Sequence, residues 1–197
     1  MLPRYKRGYN DSGLTLSDID DLPMWSVKAL AAAKPVNFFD QTGGPNELTS
    51  LITANMIDRN KDFDVKRIEV NIWATDQAPL ETADLAKLSL LMAGFYLQIY
   101  TNEARRAWAC PMNALLKFPM QVAAAGASAY NPAFIVSGGA NINMPAGEGL
   151  VLKGGEAFTC QLSSSVAATD LTGLTMSVVL WGIRYALVKA AISGNGG

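Results

Sequence analysis

Histidine is absent from the 197 residues. That removes the commonest general base, the commonest metal ligand and the one side chain that titrates near neutral pH. A Ser-His-Asp triad, a His-zinc centre and a histidine pH switch are therefore excluded. Charge is scarce as well: 17% of residues are Asp, Glu, Lys or Arg, against about 25% in ordinary soluble domains. The 16 basic and 17 acidic residues nearly cancel, leaving a net charge of -1. No basic excess is available to follow a phosphate backbone over a broad face, which excludes a dedicated nucleic-acid binder. The two cysteines, Cys110 and Cys160, lie far apart among apolar neighbours. They match neither a CxxC nor a zinc spacing, and they read as buried thiols. No run of about 20 uninterrupted apolar residues occurs, as a membrane-spanning helix requires. The longest candidates, Leu85–Leu97 and Leu174–Val188, contain Lys87 and Arg184. The N-terminus turns polar at Asn10-Asp11-Ser12 directly after its basic residues, so no signal peptide is expected.

What is abundant is apolar: 50% of the chain is hydrophobic. That balance excludes disorder. The length suits one domain with an arm, large enough to bury about 70% of the surface its unfolded chain exposes. So much apolar content with so few charges predicts that neighbouring subunits cover part of the surface.

The chain divides into three parts on pattern. Residues 1–34 read as an N-terminal arm with a basic start (Arg4, Lys6, Arg7), an acidic cluster (Asp18, Asp20, Asp21) and an Ala-rich stretch from Met24 to Ala33 that suits a short helix. Residues 35–190 read as strands, and 191–197 as a flexible tail. The cleanest strand is Phe63–Ala74, with Ile68, Val70, Ile72 and Ala74 on one face and Arg67, Glu69 and Asn71 on the other. Further strands are expected at 36–40, 94–102, 105–110, 117–122, 132–136, 150–162 and 175–188. Gly154-Gly155 suggests a bulge or bend inside 150–162, and the last is apolar on both parities, as a central strand reads. Pro79–Met92 switches to helical period, with Leu85, Leu88 and Met92 as its stripe and Gly94 as its stop. A second short helix is expected at 47–56. Eight strands, one inserted helix and an arm predict an all-β fold: an eight-stranded jelly-roll sandwich.

Motifs that carry chemistry fail on local grounds. Asp58, Asn60, Asp62, Asp64 and Glu69 have the oxygen spacing of a calcium loop, but Phe63 stands where that loop needs glycine, and the segment reads as a strand. Gly147–Gly155 contains glycines and Lys153, yet it matches no phosphate-binding pattern and no helix follows it. Ser163, Ser164 and Ser165 have no histidine base and no nucleophile elbow. Asp20-Asp21 sits in the arm, outside any cleft. No catalytic, cofactor-binding or metal residue is assigned, and a non-enzymatic protein without cofactor or small-molecule substrate is expected. The residues that stand out suit contact instead. Trp25, Val27 and Leu30 in the arm, Trp108 after Arg105-Arg106, and Tyr130 at the end of the uncharged Gln121–Tyr130 stretch are the subunit-interface candidates. Arg4, Lys6 and Arg7 are the candidates for phosphate or lipid headgroups.

The order of features resembles a family. The arm leads to a short strand with Phe38-Phe39, a Thr53–Met56 turn, the run Lys61–Val70, a helix, Tyr96–Tyr100, Cys110-Pro111, and a long apolar last strand containing Trp181-Gly-Ile-Arg-Tyr185. This layout, over residues 35–190, is similar to the single jelly-roll capsid proteins of tailless, often membrane-containing, icosahedral bacteriophages. The resemblance implies strands standing upright in a shell, oligomeric capsomers, and arms that reach neighbours or the inner face. It carries over no catalytic residues.

The expectation is a structural virion protein: a self-assembling capsid subunit, made in the host cytoplasm and located in the virion. Its partners would be copies of itself and other capsid or virion proteins, with inner membrane or genome contacted through the arm. The rival from another class is a β-sandwich decoration or spike-type binding module on a virion. A metal enzyme on a cupin-type sandwich is disfavoured because such sites draw on histidine.

Overall fold

The computed structural model describes residues 14–20, 23–30, 35–59, 61–75, 78–101, 106–117, 136–142, 150–164 and 170–189. In chain order these form β1 (Leu14–Asp20), β2 (Met24–Ala29), β3 (Val36–Phe38), β4 (Asp62–Ala74), α1 (Leu85–Gly94), β5 (Phe95–Tyr100), β6 (Arg106–Pro111), α2 (Met112–Leu115), β7 (Leu116–Lys117), β8 (Val136–Asn141), β9 (Leu150–Leu152), β10 (Thr159–Ser164) and β11 (Leu174–Lys189). The fold is all-β: two antiparallel sheets in a sandwich, with two helices.

The larger sheet is organised around β4 and β11. They pair antiparallel from Leu174↔Ala74 to Tyr185↔Asp62. β1 and β2 lie end to end along the free edge of β11, with Leu14↔Lys189 at one end and Ala29↔Thr175 at the other. β8 and β9 lie end to end along the other side of β4, and β7 adds two residues beyond β8. The smaller sheet has the order β3-β10-β5-β6.

The register slips twice in the larger sheet among the described residues, between β1 and β11 at Ser17–Asp20 and between β4 and β11. Buried positions on β4 change parity, from Phe63 and Val65 to Ile68, Val70 and Ile72, across exposed Lys66 and Arg67. The pairing with β11 slips there, from Trp181↔Arg67 to Gly182↔Val65. This is a β-bulge, which lets one strand keep apolar residues inward on both sides of a kink. The breaks between β1 and β2 and between β8 and β9 fall at the same level. Gly182 is required there: a Cβ at this position would stand 2.2 Å from the carbonyl oxygen of Asp64.

The core lies between the sheets. From the larger sheet come Met24, Phe63, Ile68, Val70, Ile72, Met176, Val178 and Leu180; from the smaller come Phe38, Leu97, Ile99, Cys160 and Leu162. α1 closes one end with Leu88 and Leu91, both fully buried, each worth about 2 kcal/mol on burial. Phe38 and Phe39 are adjacent yet both buried. Phe39 has φ 64°, which turns its ring out of strand alternation and onto Phe158 at 5.6 Å.

Several expectations from pattern change. The arm is no arm over Leu14–Asp20 and Met24–Ala29: these residues supply two strands. The helix expected at Met24–Ala33 is β2 over Met24–Ala29. Host-free helix propensity loses to a long central strand whose exposed edge must be hydrogen-bonded. The helix expected at 47–56 is a non-helical loop. The Asn46 side chain fixes it, accepting from the amides of Leu48 and Thr49 at 2.8 and 3.0 Å, a local turn that competes with helix. The strand expected at 150–162 is two strands in different sheets, with Gly154-Gly155 at the crossing. Of the strands expected at 117–122 and 132–136, only Lys117 and Val136 lie among the described residues, at the end of β7 and the start of β8, and β8 runs on to Asn141 where no strand was expected. Gln121–Tyr130, residues 1–13 and the tail from 190 lie outside the described residues.

Candidate assembly surface

Side chains on the outer face of the larger sheet follow from the register. Rows run Ala29-Thr175-Trp73, Val27-Ser177-Asn71, Trp25-Val179-Glu69, and then Trp181-Arg67. Trp25, Val27, Trp73 and Val179 are half-buried there, and Trp181 is 40% exposed. The charges in these rows neutralise each other: Arg67 lies 3.2 Å from Glu69, and Glu69 also accepts from the Trp181 indole at 3.2 Å.

The loop over residues 43–56 borders this face. It runs along the edge of β2, where Val27 N–H donates to the Leu48 carbonyl at 2.8 Å and the Trp25 indole donates to the Asn46 carbonyl at 2.9 Å. Leu48 is 44% and Ile52 62% exposed. Between loop and sheet lies a cleft of about 270 Å³, walled by Trp25, Pro45, Ile52, Met56, Ile57 and Arg184 among others.

Two of the expected contact residues, Trp25 and Val27, thus reach this face. Leu30 does not: its alternation on the β2 side turns it inward, where it is 3% exposed in the core, so it is corrected from interface to core. Trp108 packs partly buried against the core from β6, again a packing residue. Tyr130, Arg4, Lys6 and Arg7 lie outside the described residues. The pattern missed Leu48 and Ile52, because it assigned their loop to a helix. Trp181 lies in the long last strand as expected, with its side chain on the outer face.

The outer face of the smaller sheet differs in chemistry. Gln98 donates to Ser163 Oγ at 2.8 Å, Ser163 to Gln161 at 2.8 Å, and Gln161 to Asn37 at 3.0 Å. This polar ladder crosses three strands and satisfies most of its groups internally. Gln98 Oε1 remains buried without a partner among the described residues.

The motifs weighed for chemistry disperse. Asp62 Oδ1 accepts from the Gly154 amide at 2.9 Å, Asp64 pairs with Lys66, and Glu69 is occupied as above. All three stand on a strand, so the calcium-like spacing does not converge. Among the described residues no three His, Cys, Asp or Glu side chains come together as metal ligands. Cys110 and Cys160 are free thiols, facing Leu97 and Ile99 from opposite sides of β5. Burial pushes both thiols up, Cys160 far more. Tyr185 is pushed up to about 12 by burial first, then by Asp62 and Asp64. Among the described residues no helix is long and apolar enough to cross a membrane. No family model and no curated protein matches the chain.

Proposed function

We propose that this chain is a structural virion protein, a jelly-roll subunit that self-assembles into an icosahedral bacteriophage capsid. The observation that carries the reading is the strand order. If β1 with β2 and β8 with β9 are each counted as one interrupted strand, and the two-residue β7 is set aside, eight strands remain. In chain order from first to eighth, the larger sheet then runs first, eighth, third, sixth, and the smaller second, seventh, fourth, fifth. That order fits the jelly-roll winding, an architecture used by viral capsid and lectin domains and by cupins, and supports the reading. The cupin branch draws on histidine ligands that this chain lacks.

The apolar outer face supports the capsid branch, since shells are built by burying such faces and β edges between subunits. In the assembled shell the basic residues Arg4, Lys6 and Arg7 would reach membrane headgroups or genome. Copy number per particle tests the reading. A shell subunit is present in hundreds of copies, whereas copies confined to vertices or to an outer layer would make it a decoration or spike module instead.

A further inference from the structure

We propose that the outer face of the larger sheet is a contact between two copies of this chain, packed face to face about a two-fold axis. This deepens the assembly reading by naming the surface and its occupant. Of the four large hydrophobic side chains exposed among the described residues, Leu48, Ile52 and Trp181 lie on or beside this face, and only Leu90 lies elsewhere. Trp25, Val27 and Val179 continue the patch. Contiguous apolar patches of this kind mark interaction sites.

The charge pattern selects the occupant. Arg67 and Glu69 neutralise each other within the face, so neither an acidic nor a basic partner gains by binding. A second identical face brings the same net-neutral surface with its apolar cluster of Trp25, Val27, Val179 and Trp181, and an isologous contact needs one self-complementary patch. The smaller sheet is the poorer counterpart, because its amide and hydroxyl ladder is already hydrogen-bonded within itself and its exposed end at Asn37 loses hydration when covered. Three strands about 4.8 Å apart, with four outward rows about 6.8 Å apart, make the sheet patch roughly 400 Å² per copy. The loop bearing Leu48 and Ile52 enlarges it toward the roughly 800 Å² per partner of a stable interface. The contact is therefore weak in isolation and is reinforced by other contacts in a shell.

Sedimentation equilibrium of the whole protein, compared with Val179→Arg, tests this. The wild type is expected to dimerise reversibly, and the arginine, a bulky charge placed in a dry contact, to weaken dimerisation roughly a hundredfold, with the melting temperature unchanged where both proteins are dilute enough to be monomeric. A second measurement guards against a variant that fails to fold. A spin label on Val179→Cys in a Cys110→Ser background is expected to give an inter-copy distance of about 10–25 Å, from sheets stacked about 10 Å apart. A wild type that stays monomeric at all concentrations, a Val179→Arg variant that dimerises like the wild type, or labels farther apart than about 40 Å would overturn the proposal. If shells form equally well with Val179→Arg, this contact is wrong and the capsid reading stands. If the face dimerises but no shell ever forms, the capsid reading falls alone.

Discussion

Replacing Gly182 with alanine tests whether the kink across the larger sheet is built on a close backbone approach. The added Cβ would lie 2.2 Å from Asp64 O, 2.9 Å from Asp64 C and 3.0 Å from Val65 Cα. All three are backbone atoms of β4, the strand held on both sides, so no flexible side chain can yield. Relief requires β4 and β11 to part by about 1 Å, which forfeits one or two ladder hydrogen bonds at about 1 kcal/mol each. Overpacking itself adds about 1–3 kcal/mol. The expected cost is about 3 kcal/mol, or roughly 6–12 °C in Tm for a chain of this size. Urea unfolding followed by tryptophan fluorescence reads it, with both proteins at one concentration because assembly shifts apparent stability. Gly43→Ala is the control: Gly43 has φ +85° but open space around its missing Cβ, so only backbone strain of about 1 kcal/mol applies. A Gly182→Ala protein within about 0.5 kcal/mol of wild type, or no worse than Gly43→Ala, would refute the account of the bulge.

Three further outcomes follow from the same geometry. Ser163→Ala should destabilise by about 1–2 kcal/mol, because the buried Gln98 amide keeps only its 3.4 Å contact with Gln161. Gln98→Met should cost less, since it also removes the unpartnered Oε1, and equal costs in chemical denaturation would contradict this ranking. Tyr185 carries a folded-state pKa above its unfolded value, so its contribution is fully present below pH 10 and is lost as pH rises toward about 12. Wild-type stability should fall over that window, and Tyr185→Phe should flatten the fall; parallel curves would count against it. Native protein at pH 8 should leave Cys160 unalkylated until it unfolds, as a fully buried thiol with a raised pKa requires, and rapid native labelling by iodoacetamide would contradict the core placement.

How much was legible in the chain depended on what specified each segment. β4, β5, β10 and β11 carry their own alternation or two-faced apolar run, so their sequence announces them. α1 is legible from the Leu85, Leu88 and Met92 spacing, although it runs on to Gly94. Met24–Ala29 is different: nothing local makes it a strand, and the free edge of β11 does. The loop over residues 43–56 is set by one side chain, Asn46, acting on the backbone, and periodicity does not register that. The split at Gly154-Gly155 was visible as a punctuation, but whether the chain bends within a sheet or crosses to the other depends on partners distant in sequence. The proposed contact surface was half legible for the same reason. Trp25 and Val27 stood out by type, whereas Leu30 was turned inward by strand parity, and Leu48 and Ile52 became prominent only through the loop that displays them.

The central claim is that this chain builds a closed shell. Electron cryo-microscopy of the expressed, purified protein across a concentration series tests it most directly. The account predicts capsomers that close into icosahedral particles whose wall is one jelly roll thick. Protein that remains monomeric or dimeric at high concentration, with no capsomer or particle, would contradict it.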